Sequence, residues 1–134
     1  MKITLLIILS VSSLLAGKEA ISLTQPDWKV VHTQGKLHFV VVNKDGGLDK
    51  NTYRQAMDAV CPQGKACQAL FWRRGDEIPQ TVPLSYTNFS RLMAFYSVQA
   101  DSSTAQQRWN CRVFTGDLTD VCLNEAAVDA VIQP

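Results

Sequence analysis

The stretch WKVVHTQGKLHFVVV, residues 28–42, decides the N-terminal part of the fold. Its two runs, Trp28–Thr33 and Lys36–Val42, are rich in β-branched and aromatic residues, and only Gln34-Gly35 interrupts them. Such side chains favour strands because they pack well on a pleated surface, and a short break that contains Gly favours a reversal of the chain. The stretch therefore predicts a β-hairpin.

Apolar residues at helical spacing occur twice after the hairpin. A first helix is predicted over Lys50–Val60, with Asp49 as its N-cap, because the apolar residues there recur at i, i+3, i+4 and i+7: Tyr53, Ala56, Met57 and Val60. A second helix, capped by Ser85 or Thr87, is predicted from the same spacing further along the chain: Phe89, Leu92, Met93 and Tyr96.

Two more strands are predicted in the second half of the chain. The apolar run Ala69–Trp72 favours a buried strand, since charged residues and a Gly follow it directly. The segment Arg108–Val113 alternates, so that three side chains would share one face: Trp109, Cys111 and Val113. In the tail, Leu118, Val121 and Cys122 fit one helical turn, and Glu125–Ile132 fits either a short terminal helix or a frayed end.

The first 22 residues have the pattern of a secretory signal peptide. Lys2 gives a positive start, residues 3–15 are apolar apart from Thr and Ser, and small or polar residues follow. Ala20-Ile21-Ser22 fits the small-x-small rule, so we expect cleavage after Ser22, with cleavage after Ala16 as the alternative. Lys18 occupies the position where a lipoprotein would need Cys, and a 13-residue helix spans only about 20 Å of a hydrocarbon core of about 30 Å. No stable membrane anchor is expected.

The remaining residues 23–134 have the composition of one globular domain. The whole chain is 46% hydrophobic and 19% charged, which excludes a disordered protein and a multi-pass membrane protein. Removal of two lysines and one glutamate with residues 1–22 lowers the formal charge from +1 to 0. A neutral domain does not predict a nucleic-acid partner.

Four cysteines in an exported chain of this size predict two disulfides, because thiols pair in an oxidising compartment. Three pairings are possible, and we favour the one that is local in sequence, Cys61–Cys67 with Cys111–Cys122. A redox or metal site is less consistent with the spacing, since five residues separate Cys61 from Cys67 and no His follows at a zinc-ligand distance.

The expected fold is therefore a small single α+β domain with two disulfides. The hairpin and two further strands would form a mainly antiparallel sheet packed by two helices. Three tryptophans are expected as core anchors, because few other bulky side chains are present to fill the centre of the domain: Trp28, Trp72 and Trp109.

One pattern resembles a set of small exported bacterial proteins of unknown function, over roughly residues 53–123. The pattern runs Cys61-x5-Cys67, Phe71-Trp72, Pro79, Pro83, Trp109-Asn110-Cys111 and Cys122. The resemblance implies a bacterial periplasmic or secreted setting and carries no activity or catalytic residue.

No sequence pattern predicts catalysis. Gly-x-Ser-x-Gly, His-Glu-x-x-His and phosphate-binding Gly loops are all absent from the sequence, so neither a cofactor nor a metal is expected. His32 and His38 flank the predicted hairpin turn, one residue off direct opposition, and lack an obvious third ligand for a metal ion. A small hydrolase or metal-dependent enzyme, with a site assembled only in the fold, is the alternative to a binding protein.

The segment after the predicted strand Ala69–Trp72 is the best candidate for a binding site. It carries two Arg and two acidic residues on a rigid base, and Pro79 stiffens its exit: Arg73, Arg74, Asp76 and Glu77. Arg and Trp are enriched at binding hot spots. The sequence therefore favours a non-enzymatic protein-binding module of inhibitor or immunity type, with another exported protein as its partner.

Overall fold

The β-hairpin predicted from residues 28–42 forms the first two strands of a mixed sheet. The computed structural model describes residues 26–62, 64–100 and 105–133, so the signal peptide predicted over residues 1–22 lies outside the described residues. The elements in chain order are β1 (Trp28–Gln34), β2 (Leu37–Val42), α1 (Lys50–Val60), β3 (Cys67–Arg73), α2 (Tyr86–Ser90), β4 (Ala94–Val98), β5 (Ala105–Trp109) and α3 (Glu125–Ile132).

The five described strands lie side by side in chain order, β1-β2-β3-β4-β5. β2 and β3 are parallel, and α1 makes the crossover between them, whereas the other three pairs are antiparallel. The register of β1 shifts between Val30 and His32, which leaves the exposed Val31 as a bulge on this edge strand. Bulges of this kind protect an edge strand from pairing with another chain.

Both faces of the sheet are buried. One face packs against α1 through a cluster that includes Val40, Phe71 and Tyr96 from the strands and Tyr53 and Met57 from the helix. Burial on this face accounts for the helical apolar spacing that predicted α1. Asp49 caps the helix as expected, since its carboxylate accepts a hydrogen bond from the Asn51 N–H at 2.9 Å.

The opposite face packs against α3 and the segment before β4. Its cluster joins Phe39 and Trp72 from the strands to Leu92 and to Val128 and Ile132 of the terminal helix. The rings of Phe39 and Trp72 stack with their centroids 5.9 Å apart. Residues 125–132 are therefore a helix rather than a frayed end, because their apolar face covers the sheet.

The second predicted helix is wrong in extent. α2 is capped by Ser85, as one of the two alternatives proposed, but it ends at Ser90, and Tyr96 lies in β4. Leu92 packs on the α3 face and Met93 on the α1 face. Residues 92–96 form a continuous apolar run, which is the pattern of a strand buried on both faces. The same run also contains apolar residues at helical spacing, and that spacing led to the wrong prediction.

The last predicted strand is also placed too late. β5 ends at Trp109, and residues 111–113 form a turn in which the Asn110 side chain accepts a hydrogen bond from the Arg112 N–H at 3.1 Å. The helical turn considered for residues 118–122 is absent from the described chain, where Cys122 instead forms a parallel bridge with Trp109.

The α+β class, the mainly antiparallel sheet and the two disulfides are confirmed, with one strand and one helix more than expected. Cys61–Cys67 and Cys111–Cys122 are the pairs favoured from sequence. Trp72 and Trp109 are fully buried, while Trp28 is half-buried against the core. Among the described helices, none has the length and apolar character needed to cross a membrane.

Candidate functional site

Several loops of the domain emerge at the same end of the sheet. β2, β3 and β5 run in one direction, so their carboxyl ends lie together, beside the start of the antiparallel β4. Residues 43–49, 74–77 and 110–121 follow these three strands. We call this set of segments the loop end.

The loop end carries most of the exposed large hydrophobic side chains of the described residues. Leu118 is 100% exposed, Leu48 55% and Val121 52%. Tyr86, 75% exposed, lines a cavity together with Asn110 and so lies beside the same segments. The fifth such residue is Val31, at the bulge of β1, away from the loop end.

Two of the four residues predicted to bind a partner have a structural role. The stem of Arg73 packs over the turn before α1, since its Cγ lies 2.5 Å from the position that a Cβ on Gly47 would occupy. The Asp76 carboxylate accepts a hydrogen bond from the Arg73 N–H at 3.3 Å, and the Asp76 N–H donates to the Arg73 carbonyl at 3.2 Å. These contacts close the loop on itself.

The other two predicted residues, Arg74 and Glu77, are exposed. The Arg74 N–H donates to the Val42 carbonyl at 3.1 Å, which ties the start of the loop to the end of β2. The loop therefore presents one Arg and one Glu to solvent from a fixed backbone, and this arrangement suits charged contacts at the rim of an interface.

A compact turn displays Leu118. The Asp117 carboxylate accepts hydrogen bonds from both the backbone N–H and the hydroxyl of Thr119, at 2.9 and 2.6 Å. These two bonds, the hydroxyl bond first, hold the pKa of Asp117 below its usual value. The Asp120 N–H also donates to the Asp117 carbonyl at 3.3 Å, so Leu118 occupies the tip of a hydrogen-bonded turn.

An ion pair joins this turn to α1. Lys50 Nζ lies 2.5 Å from Asp120 Oδ2, and the two side chains are only 19% and 6% exposed. The same ammonium lies 4.5 Å from the centroid of the Trp109 ring, and the Arg54 guanidinium lies 5.5 Å from it. These contacts hold the segment that carries Leu118 against the segment that carries Leu48.

Backbone pairing and a disulfide fix the base of residues 110–121. The Trp109 N–H donates to the Val121 carbonyl and the Leu123 N–H donates to the Trp109 carbonyl, both at 2.8 Å. Cys111–Cys122 closes the segment covalently between these points. The turn that bears Leu118 therefore projects from a rigid frame.

The two histidines lie on opposite faces of the hairpin. His38 is paired with Thr33, whose hydroxyl lies 3.0 Å from His38 Nδ1, and burial lowers the pKa of this His. His32 is paired with Phe39, and their ring centroids are 5.2 Å apart. Their register is the one expected, yet the two rings cannot share a metal ion. Within the described ranges, no group of three or more His, Cys, Asp or Glu side chains is placed to hold one.

Sequence reasoning missed Leu118 as a turn tip and missed the Lys50–Asp120 pair. A signal for the turn was present, because Gly116-Asp117 followed by Thr119 is typical of a loop in which an Asp side chain binds backbone N–H groups. The ion pair joins residues 70 positions apart, and no local pattern indicates it.

No family model, curated protein or solved structure matches this chain.

Proposed function

We propose that this chain is an exported, non-enzymatic protein-binding domain of inhibitor or immunity type, and that it binds its partner through the loop end. The observation that carries this proposal is that three of the exposed large apolar side chains of the described residues, Leu48, Leu118 and Val121, lie in the loop-end segments, with the exposed Tyr86 beside Asn110. Exposed apolar side chains that surround one end of a domain are typical of an interaction surface.

The rigidity of the loop end favours binding over a passive loop. Ordering a flexible loop on association costs about 0.5–1.5 kcal/mol for each immobilised side chain. The Asp117 turn, the Lys50–Asp120 pair and Cys111–Cys122 meet that cost during folding. The backbone that bears Leu118 is thus ordered before a partner binds.

Exposed charges complete the proposed interface. Arg74 and Glu77 lie on the neighbouring loop after β3, while Arg73 and Asp76 keep that loop in shape. Arg makes planar, multidentate hydrogen bonds that Lys cannot reproduce. We therefore assign the apolar anchor to Leu118, and partner selection to Arg74 and Glu77.

The proposed setting is the bacterial periplasm or the extracellular space. Two disulfides are consistent with an oxidising compartment, and the pattern of residues 1–22 predicts the route of export. The partner is then another exported protein.

A site-specific photo-crosslinker identifies the partner and tests the face that it occupies. We would place it at position 118 and, as a control, at position 31, which is also exposed and apolar but lies on β1. In the native host we expect a defined adduct from position 118 and none from position 31.

Affinity measurements with the purified partner then test the residues. Leu118→Ala should weaken binding by about fivefold or more, since truncation of a buried anchor costs more than about 1 kcal/mol. Arg74→Ala should also weaken binding, and the matched control Val31→Ala should leave the affinity unchanged. If all three variants bind the partner as tightly as the parent does, or if only position 31 gives an adduct, the interface lies elsewhere.

A further inference from the structure

The two disulfides of this chain differ in their access to solvent. Cys61 and Cys67 belong to the core cluster under α1 and are 1% and 5% exposed. Cys122 is exposed and Cys111 is half-buried at the loop end. Because thiol–disulfide exchange requires a thiolate to reach a sulfur atom along the S–S axis, only the second disulfide is open to attack in the folded state.

A cavity of about 370 Å³ lies beside this accessible disulfide and is lined by both of its cysteines. Tyr86 and Phe89 contribute aromatic surface to the lining, and Arg112 and Glu125 contribute charges of opposite sign. An Arg pairs with a carboxylate and a Glu with an ammonium group. The cavity therefore suits a small peptide that carries both charges.

We propose that Cys111–Cys122 is a thiol-exchange site that takes a small zwitterionic peptide thiol of the glutathione type. The thiolate attacks Sγ of Cys122, the more exposed of the two residues, and forms a new S–S bond to it. The Cys111–Cys122 bond breaks, and its electron pair leaves on Cys111 as a thiolate. The product is a mixed disulfide on Cys122, and the Cys111 thiolate regenerates the original bond by expelling the peptide thiol.

The backbone around both cysteines supports this reversibility. Hydrogen bonds from Trp109 to Val121 and from Leu123 to Trp109 hold the chain on either side of Cys122. On the other side, Asn110 donates from its amide to the Leu92 carbonyl at 2.9 Å and accepts from the Arg112 N–H. None of these contacts involves a sulfur atom, so the backbone is held on both sides of the disulfide by bonds other than S–S. The Asp117 turn and the Lys50–Asp120 pair likewise involve neither sulfur.

Reduced glutathione is the probe for the test. The oxidised mature protein is incubated with it, quenched in acid and alkylated, and the modified cysteines are mapped by peptide mass spectrometry. We expect a glutathione adduct on Cys122 with Cys111 alkylated, formed at least about tenfold faster than any opening of Cys61–Cys67. The far-UV circular dichroism should not change during the reaction.

Variants separate recognition by the cavity from simple exposure. Arg112→Gln should slow adduct formation with glutathione about threefold more than it slows the reaction with mercaptoethanol, because both thiols attack as thiolates but only glutathione also presents carboxylates. The matched control Lys29→Gln, which removes an exposed cation from the edge strand β1, should react like the parent.

Three results would overturn the proposal. They are an adduct on Cys61 or Cys67, simultaneous opening of both disulfides with loss of the circular dichroism signal, and an Arg112→Gln variant that reacts with glutathione like the parent. None of them bears on the protein-binding face, because the reaction is measured without a partner.

Discussion

Gly47 lies at a close approach of three segments at the loop end. Its φ of +76° is in the left-handed region, and a Cβ there would meet Arg73 Cγ at 2.5 Å and the Tyr53 hydroxyl at 2.9 Å. Gly46 has a similar φ of +65°, but a Cβ on it would meet nothing within 4 Å. A substitution at Gly46 therefore tests backbone strain alone, whereas a substitution at Gly47 tests strain together with steric overlap.

Gly47→Ala should destabilise the domain more than Gly46→Ala. Both variants place a side chain in a left-handed conformation, at a cost of about 1–2 kcal/mol. Gly47→Ala adds overlap with Arg73 and Tyr53, and overpacking costs about a further 1–3 kcal/mol. Urea unfolding of both variants measures the difference, and equal losses would mean that the Arg73 stem moves aside freely.

Tyr53 links the same turn to the core. Its hydroxyl donates to the Gly47 carbonyl at 2.6 Å, and its ring meets those of Phe71, Trp109 and Phe114 edge-on. Burial, the largest cause, raises the pKa of Tyr53 far above its ordinary value of 10.0, and Asp76 adds to the rise while Arg73 opposes it. The fold therefore keeps this hydroxyl protonated.

Tyr53→Phe should lower the free energy of unfolding by about 1–3 kcal/mol at neutral pH, because it leaves the buried Gly47 carbonyl without its donor. Above pH 10 the parent should lose stability, since only the unfolded chain releases the Tyr53 proton there. Tyr96, whose pKa burial also raises, adds to the same loss. Urea unfolding at about pH 8 and about pH 11 should show a smaller fall for the variant than for the parent. Equal falls would contradict the assignment to Tyr53.

At the scale of elements, a half-buried ion pair connects α1 to the turn that bears Leu118. The described residues contain one other ion pair, Lys44–Asp27, whose charged atoms lie 3.7 Å apart. Its side chains are about half exposed, so Lys50 and Asp120 are far less exposed than this second pair. Removing one partner of a buried pair leaves an uncompensated charge, whereas an exposed pair contributes little.

Asp120→Ala should therefore cost more stability than Asp27→Ala, whose loss should be less than about 1 kcal/mol. Thermal unfolding at low and high salt measures both. Hydrogen exchange should also show faster amide exchange over residues 117–121 in Asp120→Ala than in the parent. A loss no larger than that of Asp27→Ala would show that the pair does not anchor the turn.

The helices and strands also show which features of the fold can be predicted from local sequence patterns. Helix α1 was predicted to its end residues, because one face is buried and both the cap and the apolar spacing agree. The run around Leu92 and Met93 was misassigned, since burial on both faces of a central strand gives a pattern that local spacing cannot distinguish from a helix. The loop after β3 was placed correctly, but the inward role of Arg73 depends on Gly47, which is distant in sequence.

At the scale of the whole molecule, the pattern of residues 1–22 predicts export and removal of that segment. We expect the protein isolated from its native host to have lost residues 1–22 and to begin at Leu23, with Gly17 as the alternative start. The intact mass measures this directly. A mature protein that retains Met1 would contradict the signal peptide.

The loop end is the proposed binding face of this domain. Hydrogen exchange, measured for the domain alone and for its complex with the partner captured from position 118, tests this proposal across the described chain. We predict slower exchange on binding over residues 43–49, 74–77 and 110–121, with β1 and α3 unchanged. Protection confined to β1 or α3, with the loop end exchanging as in the free domain, would contradict the claim.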